Sequence, residues 1–227
     1  AMSAGFEGIV WAADNGADII SMSFGSSQES DVLRNAIENS YSQGVVFVAA
    51  AGNDNDNGVH YPSSHNNVIS VGATDRNDEK AYFSNYGNNV DIAAPGVNIL
   101  STINGGDYAE YSGTSMSAPL VAGIIALLIA KHPDYSQNVL KVCLKQNAYC
   151  MHPLDEIIAG RVNAKDSMLY GIDYAKSAFA QYFHQFIYEF DETFEIEGSA
   201  YGNNFDFYTI EFGKGRHPKS WNTLIQS

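Results

Sequence analysis

The sequence predicts an α/β protein: a three-layer, mostly parallel sheet with helices on both faces, followed by the start of a β-rich accessory domain. Helical and strand-like segments alternate through about the first 150 residues. The strand-like segments are apolar throughout, which is typical of parallel strands buried on both sides. After residue 177 the pattern changes to short aromatic runs with period-two alternation, which is typical of β-strands.

The first four segments account for the start of the parallel sheet. We expect a helix over residues 3–15 and a buried strand over 18–22. A second helix is predicted over 29–43, because its apolar residues recur on one face, and a second strand over 45–51. Consecutive strands joined through a helix pair in parallel, so these segments predict neighbouring parallel strands.

The later segments extend the same domain. Further strands are predicted over 67–71 and 90–93. The segment 114–131 is hydrophobic nearly all round, which predicts a helix buried in the centre of the domain. A shorter amphipathic helix is predicted over 136–146, and the string at 160–164 leads into a last helix.

The domain boundary is predicted near residue 177. Residues 1–177 form the α/β domain, and residues 178–227 open a β-rich domain with strand-like alternation at 194–198 and 205–210. About 50 residues are too few to complete a β-sandwich. We therefore expect the chain to be a piece of a longer protein, cut at both ends.

Charge and composition exclude some functions. The chain has 12 Lys and Arg residues against 26 Asp and Glu residues, a net charge of −14, which argues against nucleic-acid binding. Its most apolar run, Leu120–Ala130, is too short to span a membrane. Two cysteines, Cys143 and Cys150, could pair in an exported protein or remain thiols, and their number alone does not decide.

Ser115 lies at the predicted start of the apolar helix. A hydroxyl there sits at the positive end of the helix dipole, next to free N–H groups. Ser and Thr are also favoured helix caps, so the position by itself fits a cap as well as a nucleophile.

Four strings in chain order resemble motifs of the subtilase family of serine peptidases. The string Gly-Thr-Ser-Met-Ser-Ala-Pro-Leu-Val-Ala-Gly at 113–123 resembles the nucleophile motif. Ile-Ser-Met-Ser-Phe-Gly at 20–25 is similar to the strand that lines the substrate cleft, and Val-Ala-Ala-Ala-Gly-Asn at 48–53 to the oxyanion-hole segment. Ala-Ala-Pro-Gly at 93–96 matches the loop before the serine. The resemblance covers about residues 1–177 and includes two further strings, at 71–73 and 82–87.

The resemblance implies a subtilisin-like fold and a serine endopeptidase acting on polypeptides. It implies Ser115 as the nucleophile and the side-chain amide of Asn53 as an oxyanion donor beside the Ser115 N–H, although Asn is also a common turn residue. Two walls of a substrate pocket are implied as well: Ser23, Phe24 and Gly25 form the first, and Ala50, Ala51 and Gly52 the second.

The general base is missing from the motifs. Subtilisins carry their triad in the order Asp, His, Ser, and none of the six histidines here is followed by glycine, so the family's His-Gly-Thr signature is absent. We expect both partners to precede this chain's first residue and the fragment to be inactive. A non-catalytic binding or adhesion protein on the same fold is the alternative. The family also implies an extracellular or cell-surface location.

Four further features of the sequence carry expectations. His60 precedes Tyr-Pro where the family places its pocket floor, so its side chain either shortens the pocket or lies at the surface. Asp91 matches a carboxylate that lines a weak cation site in some members of the family, which implies a structural calcium or other cation there. The polar string at 53–58 is interpreted as a turn, because it lacks the Asp and Glu positions of a calcium loop. Leu120 replaces a histidine that is not the catalytic base.

Overall fold

The computed structural model describes residues 2–149, 160–171, 209–212 and 222–226. The chain divides into two compact units, residues 1–171 and residues 172–227. Cys150, the predicted strand at 194–198 and most of the one at 205–210 lie outside the described residues.

A parallel sheet forms the centre of the first unit. Its strands are β1 (Ile19–Met22), β2 (Val46–Ala50), β3 (Val68–Thr74) and β4 (Ile92–Pro95). They lie in the order β1-β2-β3-β4, and each neighbouring pair is parallel. Every residue of β2 and β3 is buried, which confirms the expectation from their continuous apolar runs.

Two helices cover one face of this sheet. They are α1 (Met2–Asp14) and α2 (Asp31–Ser42), and the side chain of Ser30 caps α2 by accepting a hydrogen bond from the Leu33 N–H. Their apolar sides pack with residues of β1, β2 and β3 into one buried cluster. It comprises Ile9, Met22, Leu33, Ala36, Ile37, Val45, Phe47, Ala49 and Val68.

The helix α3 (Thr114–Lys131) lies on the opposite face and contacts all four strands. It buries Val121, Ile125 and Leu128 completely, whereas Leu120 is 41% exposed and Leu127 is 54% exposed. The prediction of a helix buried all round is therefore correct for one side only. By length and composition α3 is apolar enough to cross a membrane, a property that it shares with core helices of soluble proteins.

Two shorter helices complete the first unit. They are α4 (Gln137–Gln146) and α5 (Ala164–Tyr170), close to the predicted positions. The side chain of Ser136 caps α4, and that of Asn163 caps α5.

Two antiparallel pairs of strands form sheets of their own. In the first unit, β5 (Ile99–Thr102) pairs with β6 (Tyr108–Tyr111), which the sequence patterns did not predict. In the second unit, β7 (Thr209–Phe212) pairs with β8 (Asn222–Gln226). A complete β-rich accessory domain and a boundary at residue 177 stay predictions.

Candidate active site

Three strand ends meet at the first turn of α3. Ser23 follows β1, Asn53 follows β2 and Gly96 follows β4, and each segment is hydrogen-bonded to residues 113–117. Sites in parallel α/β sheets form outside the carboxyl ends of the strands, so this convergence marks the candidate site.

Ser115 and Ser23 contact each other reciprocally. The Ser115 hydroxyl donates to the Ser23 carbonyl at 3.3 Å, and the Ser23 hydroxyl donates to the Ser115 carbonyl at 2.9 Å. Ser115 is half-buried in the first turn of α3, where N–H groups lack intrahelical partners. Within the described residues, no histidine is hydrogen-bonded to its hydroxyl.

Asn53 is held in one orientation by Thr114. The side-chain oxygen of Asn53 accepts hydrogen bonds from the Thr114 N–H and from the Thr114 hydroxyl, both at 2.9 Å. Because both donors bind the side-chain oxygen, the Nδ2 group is the part of the Asn53 amide that can still donate to another acceptor. It lies on the side of Gly113, where an added Cβ would stand 3.6 Å away.

The backbone around Gly52 is fixed from two sides. Its N–H donates to the Thr114 hydroxyl at 3.2 Å, and its φ of +108° is a conformation that favours glycine. The amide of Asn85 donates to the Ala51 carbonyl at 2.9 Å. The Asn85 oxygen accepts from the Asp54 N–H at 2.9 Å, so Asn85 braces the loop that carries Asn53.

The sequence patterns missed the positioning roles of Thr114 and Asn85. Both side chains are buried, at 0% and 4% exposure, and both are polar. A polar residue that is buried needs partners, so the burial itself is the signal that identifies them. Sequence alone offered only a cap preference for Thr114 and membership of a family string for Asn85.

The loop after β4 packs tightly against the start of α3. The Gly113 N–H donates to the Gly96 carbonyl at 2.8 Å, and the Ser117 hydroxyl donates to the Ala94 carbonyl at 3.0 Å. A Cβ on Gly96 would lie 2.4 Å from the Ser117 oxygen. Only glycine therefore allows this approach.

The six predicted wall residues lie on two adjacent strand ends. Ser23, Phe24 and Gly25 extend β1, while Ala50 ends β2 and Ala51 and Gly52 follow it. Phe24 is 44% exposed, and its ring lies against the backbone of Gly5, where a Cβ would be 3.2 Å from Cζ. The imidazole of His60 lies between Gly25 and Gly52.

Asp91 lies away from this edge, in a buried ion cluster. Its carboxylate is 2.8 Å from Lys141 Nζ and 3.3 Å from Lys145 Nζ, and it accepts a hydrogen bond from the Ser70 N–H at 3.0 Å. Burial alone would raise the pKa of Asp91, but the two ammonium groups and these hydrogen bonds lower it overall. Burial lowers the pKa of Lys145 despite the carboxylate.

The residues around Asp91 do not fit the cation expected there. A calcium ion takes six to eight oxygen ligands, whereas two ammonium groups already occupy the approaches to this carboxylate. In the part of the chain that the structure describes, no three His, Cys, Asp or Glu side chains are grouped to hold a metal ion.

Two other expectations concern single sites. The string at 53–58 forms a bent loop, in which the Asp56 carboxylate accepts from the Gly58 N–H at 3.1 Å, a local turn contact. Cys143 is a free, buried thiol, and burial raises its pKa to about 11. Its thiol is therefore protonated and unreactive at neutral pH.

The fold and the motif order define the class of the protein. A parallel sheet with helices on both faces, and a helix across it that begins with the serine motif, is a subtilisin-like α/β architecture. The chain belongs to the subtilase family, because the family model described as Subtilase family, Peptidase_S8, matches residues 3–181. The resemblance found in the four strings is confirmed.

Two relatives with similar sequences are proteases by name. The chain is 42% identical over 159 residues to alkaline elastase YaB from Bacillus sp. strain YaB, which covers 70% of this chain and 42% of the relative. It is 41% identical over 165 residues to subtilisin BL from Lederbergia lenta, covering 73% of this chain and 61% of the relative. The chain therefore spans about half the length of these relatives.

Solved structures agree with the sequence relatives. A protease from Pseudoalteromonas arctica PAMC 21717 has a TM-score of 0.68 at 36% identity, over 74% of this chain and 58% of that one. Fervidolysin from Fervidobacterium pennivorans, described as a keratinolytic enzyme related to subtilisin, has a TM-score of 0.66 at 31% identity, over 72% of this chain and 28% of that one.

Proposed function

We propose that the complete protein containing this chain is a serine endopeptidase that acts through an acyl-enzyme on Ser115. The Ser115 oxygen attacks the carbonyl carbon of the scissile peptide bond, and its proton passes to a base. The tetrahedral intermediate then expels the amine, which takes that proton, and an ester on Ser115 remains. Water attacks this ester in the same way and releases the new carboxyl end.

The observation that carries this proposal is the fixed amide of Asn53. Thr114 holds its oxygen with two hydrogen bonds, and Thr114 directly precedes Ser115. The free Nδ2 amide and the Ser115 N–H thus belong to one rigid unit, and they are the two donors that the oxyanion needs. A donor fixed before the reaction stabilises the transition state without reorganisation.

The base and its carboxylate are proposed to come from outside these 227 residues. The Ser115 hydroxyl donates to a backbone carbonyl, and no described histidine reaches it. The subtilisin order Asp, His, Ser puts both partners ahead of the serine. We therefore expect the 227-residue chain alone to be without hydrolytic activity.

The substrate is proposed to be a polypeptide in extended form. The backbone that continues β1 through Ser23–Gly25 would pair with it as an added strand. The net charge of −14 argues against nucleic acid as a partner. A location outside the cell or at its surface stays a prediction, supported by family membership. We assign Asp91 a structural role rather than a metal.

A fluorophosphonate probe tests the function, because it labels only a serine activated by a base. In the complete protein it should label Ser115, and Ser115→Ala should abolish the label. The matched control is Ser101→Ala, an exposed serine on β5 that should leave labelling intact. A folded, unlabelled wild type would instead support the binding or adhesion protein on this fold.

A further inference from the structure

The imidazole of His60 spans the gap between the two proposed pocket walls. A Cβ on Gly25, in the first wall, would lie 2.3 Å from His60 Cε1 and 2.8 Å from Nδ1. A Cβ on Gly52, in the second wall, would lie 3.1 Å from His60 Cδ2. These atoms belong to opposite edges of the ring. The ring therefore lies across the gap between the walls, where a Cβ on Gly25 would overlap it and a Cβ on Gly52 would be in tight contact with it.

The backbone of His60 is held in place by its own loop. Its N–H donates to the Ser64 hydroxyl at 2.9 Å, and its carbonyl accepts from the Ser63 hydroxyl at 2.6 Å. The next residue, Tyr61, exchanges two backbone hydrogen bonds of 2.8 Å with Ser26, directly after the first wall. The imidazole therefore projects from a segment that is hydrogen-bonded to the strand end of the first wall.

The ring is uncharged at neutral pH. Burial lowers the pKa of His60, and Asp54 and the Ala50 carbonyl offset this only in part. Its Nδ1 atom is buried and has no hydrogen-bond partner among the described residues. The ring thus occupies the gap by its volume and presents no positive charge that would attract an acidic side chain.

We infer that His60 is a specificity-determining residue, which closes the primary pocket to large side chains and restricts cleavage to bonds after small, uncharged residues such as glycine and alanine. This inference rests on the proposed function. An imidazole and an aromatic or leucine side chain cannot occupy the same space between Gly25 and Gly52. A glycine or alanine side chain does not need that space.

The test uses the complete protein and peptide p-nitroanilides that differ only in the residue before the scissile bond. We expect wild-type kcat/KM to be at least about tenfold higher for alanine than for phenylalanine or leucine, as steric exclusion from a pocket gives. His60→Gly should raise kcat/KM for phenylalanine by about tenfold or more and change the value for alanine by less than about threefold. The control is His65→Gln. His65 lies in the same loop as His60, but it lies beside Glu29 and not beside the two walls.

Labelling by the fluorophosphonate separates the two proposals, because the probe carries no side chain for the pocket. A labelled wild type that cleaves after phenylalanine as well as after alanine overturns the role of His60 and leaves the peptidase intact. A labelled His60→Gly with an unchanged profile does the same. An unlabelled, folded wild type overturns both. If His60→Gly does not fold, the kcat/KM values of His60→Ala and of the wild type for the same substrates still test the role of His60.

Discussion

The side-chain oxygen of Asn53 accepts two hydrogen bonds of 2.9 Å from Thr114, one from its N–H and one from its hydroxyl. Both donors act on the same end of the amide, so the identity of each end of Asn53 is fixed by the fold. The amide nitrogen is thereby the end of Asn53 that Thr114 does not bind. The Asn53 oxygen is therefore the end that is held, and the Asn53 nitrogen is the proposed oxyanion donor.

Asn53→Asp tests whether the side-chain amide of Asn53 donates to the oxyanion. The aspartate keeps an oxygen for both Thr114 donors but places a carboxylate where the amide stood, so kcat should fall by about 10²–10³ with little change in KM. This is the size of the effect of removing the oxyanion-hole asparagine of subtilisin. Steady-state kinetics on the complete protein measure it. Asn57→Asp makes the same charge change in the same loop, at an exposed position, and should be neutral. Full activity of Asn53→Asp would remove the amide from the mechanism.

Thr114→Val tests whether the Thr114 hydroxyl positions Asn53 and Gly52. The change removes the hydroxyl that donates to Asn53 and accepts from the Gly52 N–H, which leaves that N–H buried without a partner. We expect a loss of about 1–3 kcal/mol in the free energy of unfolding, measured by urea titration. The decrease in kcat should be smaller than for Asn53→Asp, because the Thr114 N–H still holds Asn53, and KM should not change. Thr114→Ser should restore both properties. A Thr114→Val variant as stable as the wild type would show that the hydroxyl does not support this site.

Asp91→Asn tests the buried ion cluster. The change leaves the ammonium groups of Lys141 and Lys145 buried without their counter-charge, so unfolding should cost about 3–5 kcal/mol less than in the wild type. Asp78→Asn is the matched control, because its pair with Arg161 is partly exposed and should contribute under about 1 kcal/mol.

The same cluster makes a prediction about metal. Because Lys141 and Lys145 already neutralise Asp91, the effect of chelator on thermal unfolding should be the same in the wild type and in Asp91→Asn. A calcium-dependent stabilisation that disappears with Asp91→Asn would show instead that Asp91 binds a cation.

His65 makes stability depend on pH. Burial lowers its pKa below the ordinary value of 6.5; Glu29 partly opposes this, and Arg34 adds to it. The unfolded chain therefore binds a proton that the folded chain does not, so stability should fall as pH falls through 6.5 toward the folded pKa. His65→Gln should flatten this part of the profile in urea titrations at several pH values. His60 contributes a slope of the same sign, so the flattening should be partial. An unchanged profile would mean that His65 titrates normally in the folded chain.

Much of the parallel sheet follows from the sequence, because buried parallel strands require continuous apolar runs. The end of β3 was placed at Val71, whereas the strand continues to Thr74. Gly72 and Ala73 have weak strand preference, but they pair with Ala93 and Ala94 of β4, and this pairing outweighs local preference. Likewise the apolar character of α3 does not show which side faces the sheet, so the exposure of Leu127 could not be predicted.

The site was predictable where one motif carries it and unpredictable where distant residues meet. Ser115 and Asn53 were predicted from local strings. The partners of Asp91 come from α4, far along the chain, and no spacing rule links them. The position of His60 depends on the bridge between Ser26 and Tyr61, which exists only in the folded chain. Sequence alone therefore left a surface role for His60 open.

The convergence of strand ends on α3 has a consequence for when activity can arise. The contacts of Ser115 with Ser23, of Thr114 with Asn53 and of Ser117 with Ala94 join residues 92, 61 and 23 positions apart. Contacts between residues far apart in the sequence carry a loop-closure cost in entropy, and folds that depend on them form more slowly. A nascent or partly folded copy would thus carry Ser115, the proposed nucleophile, without an oriented Asn53 amide. Hydrolysis would then begin only when the sheet is complete. At that stage the molecule no longer exposes unfolded segments of its own that it could cleave.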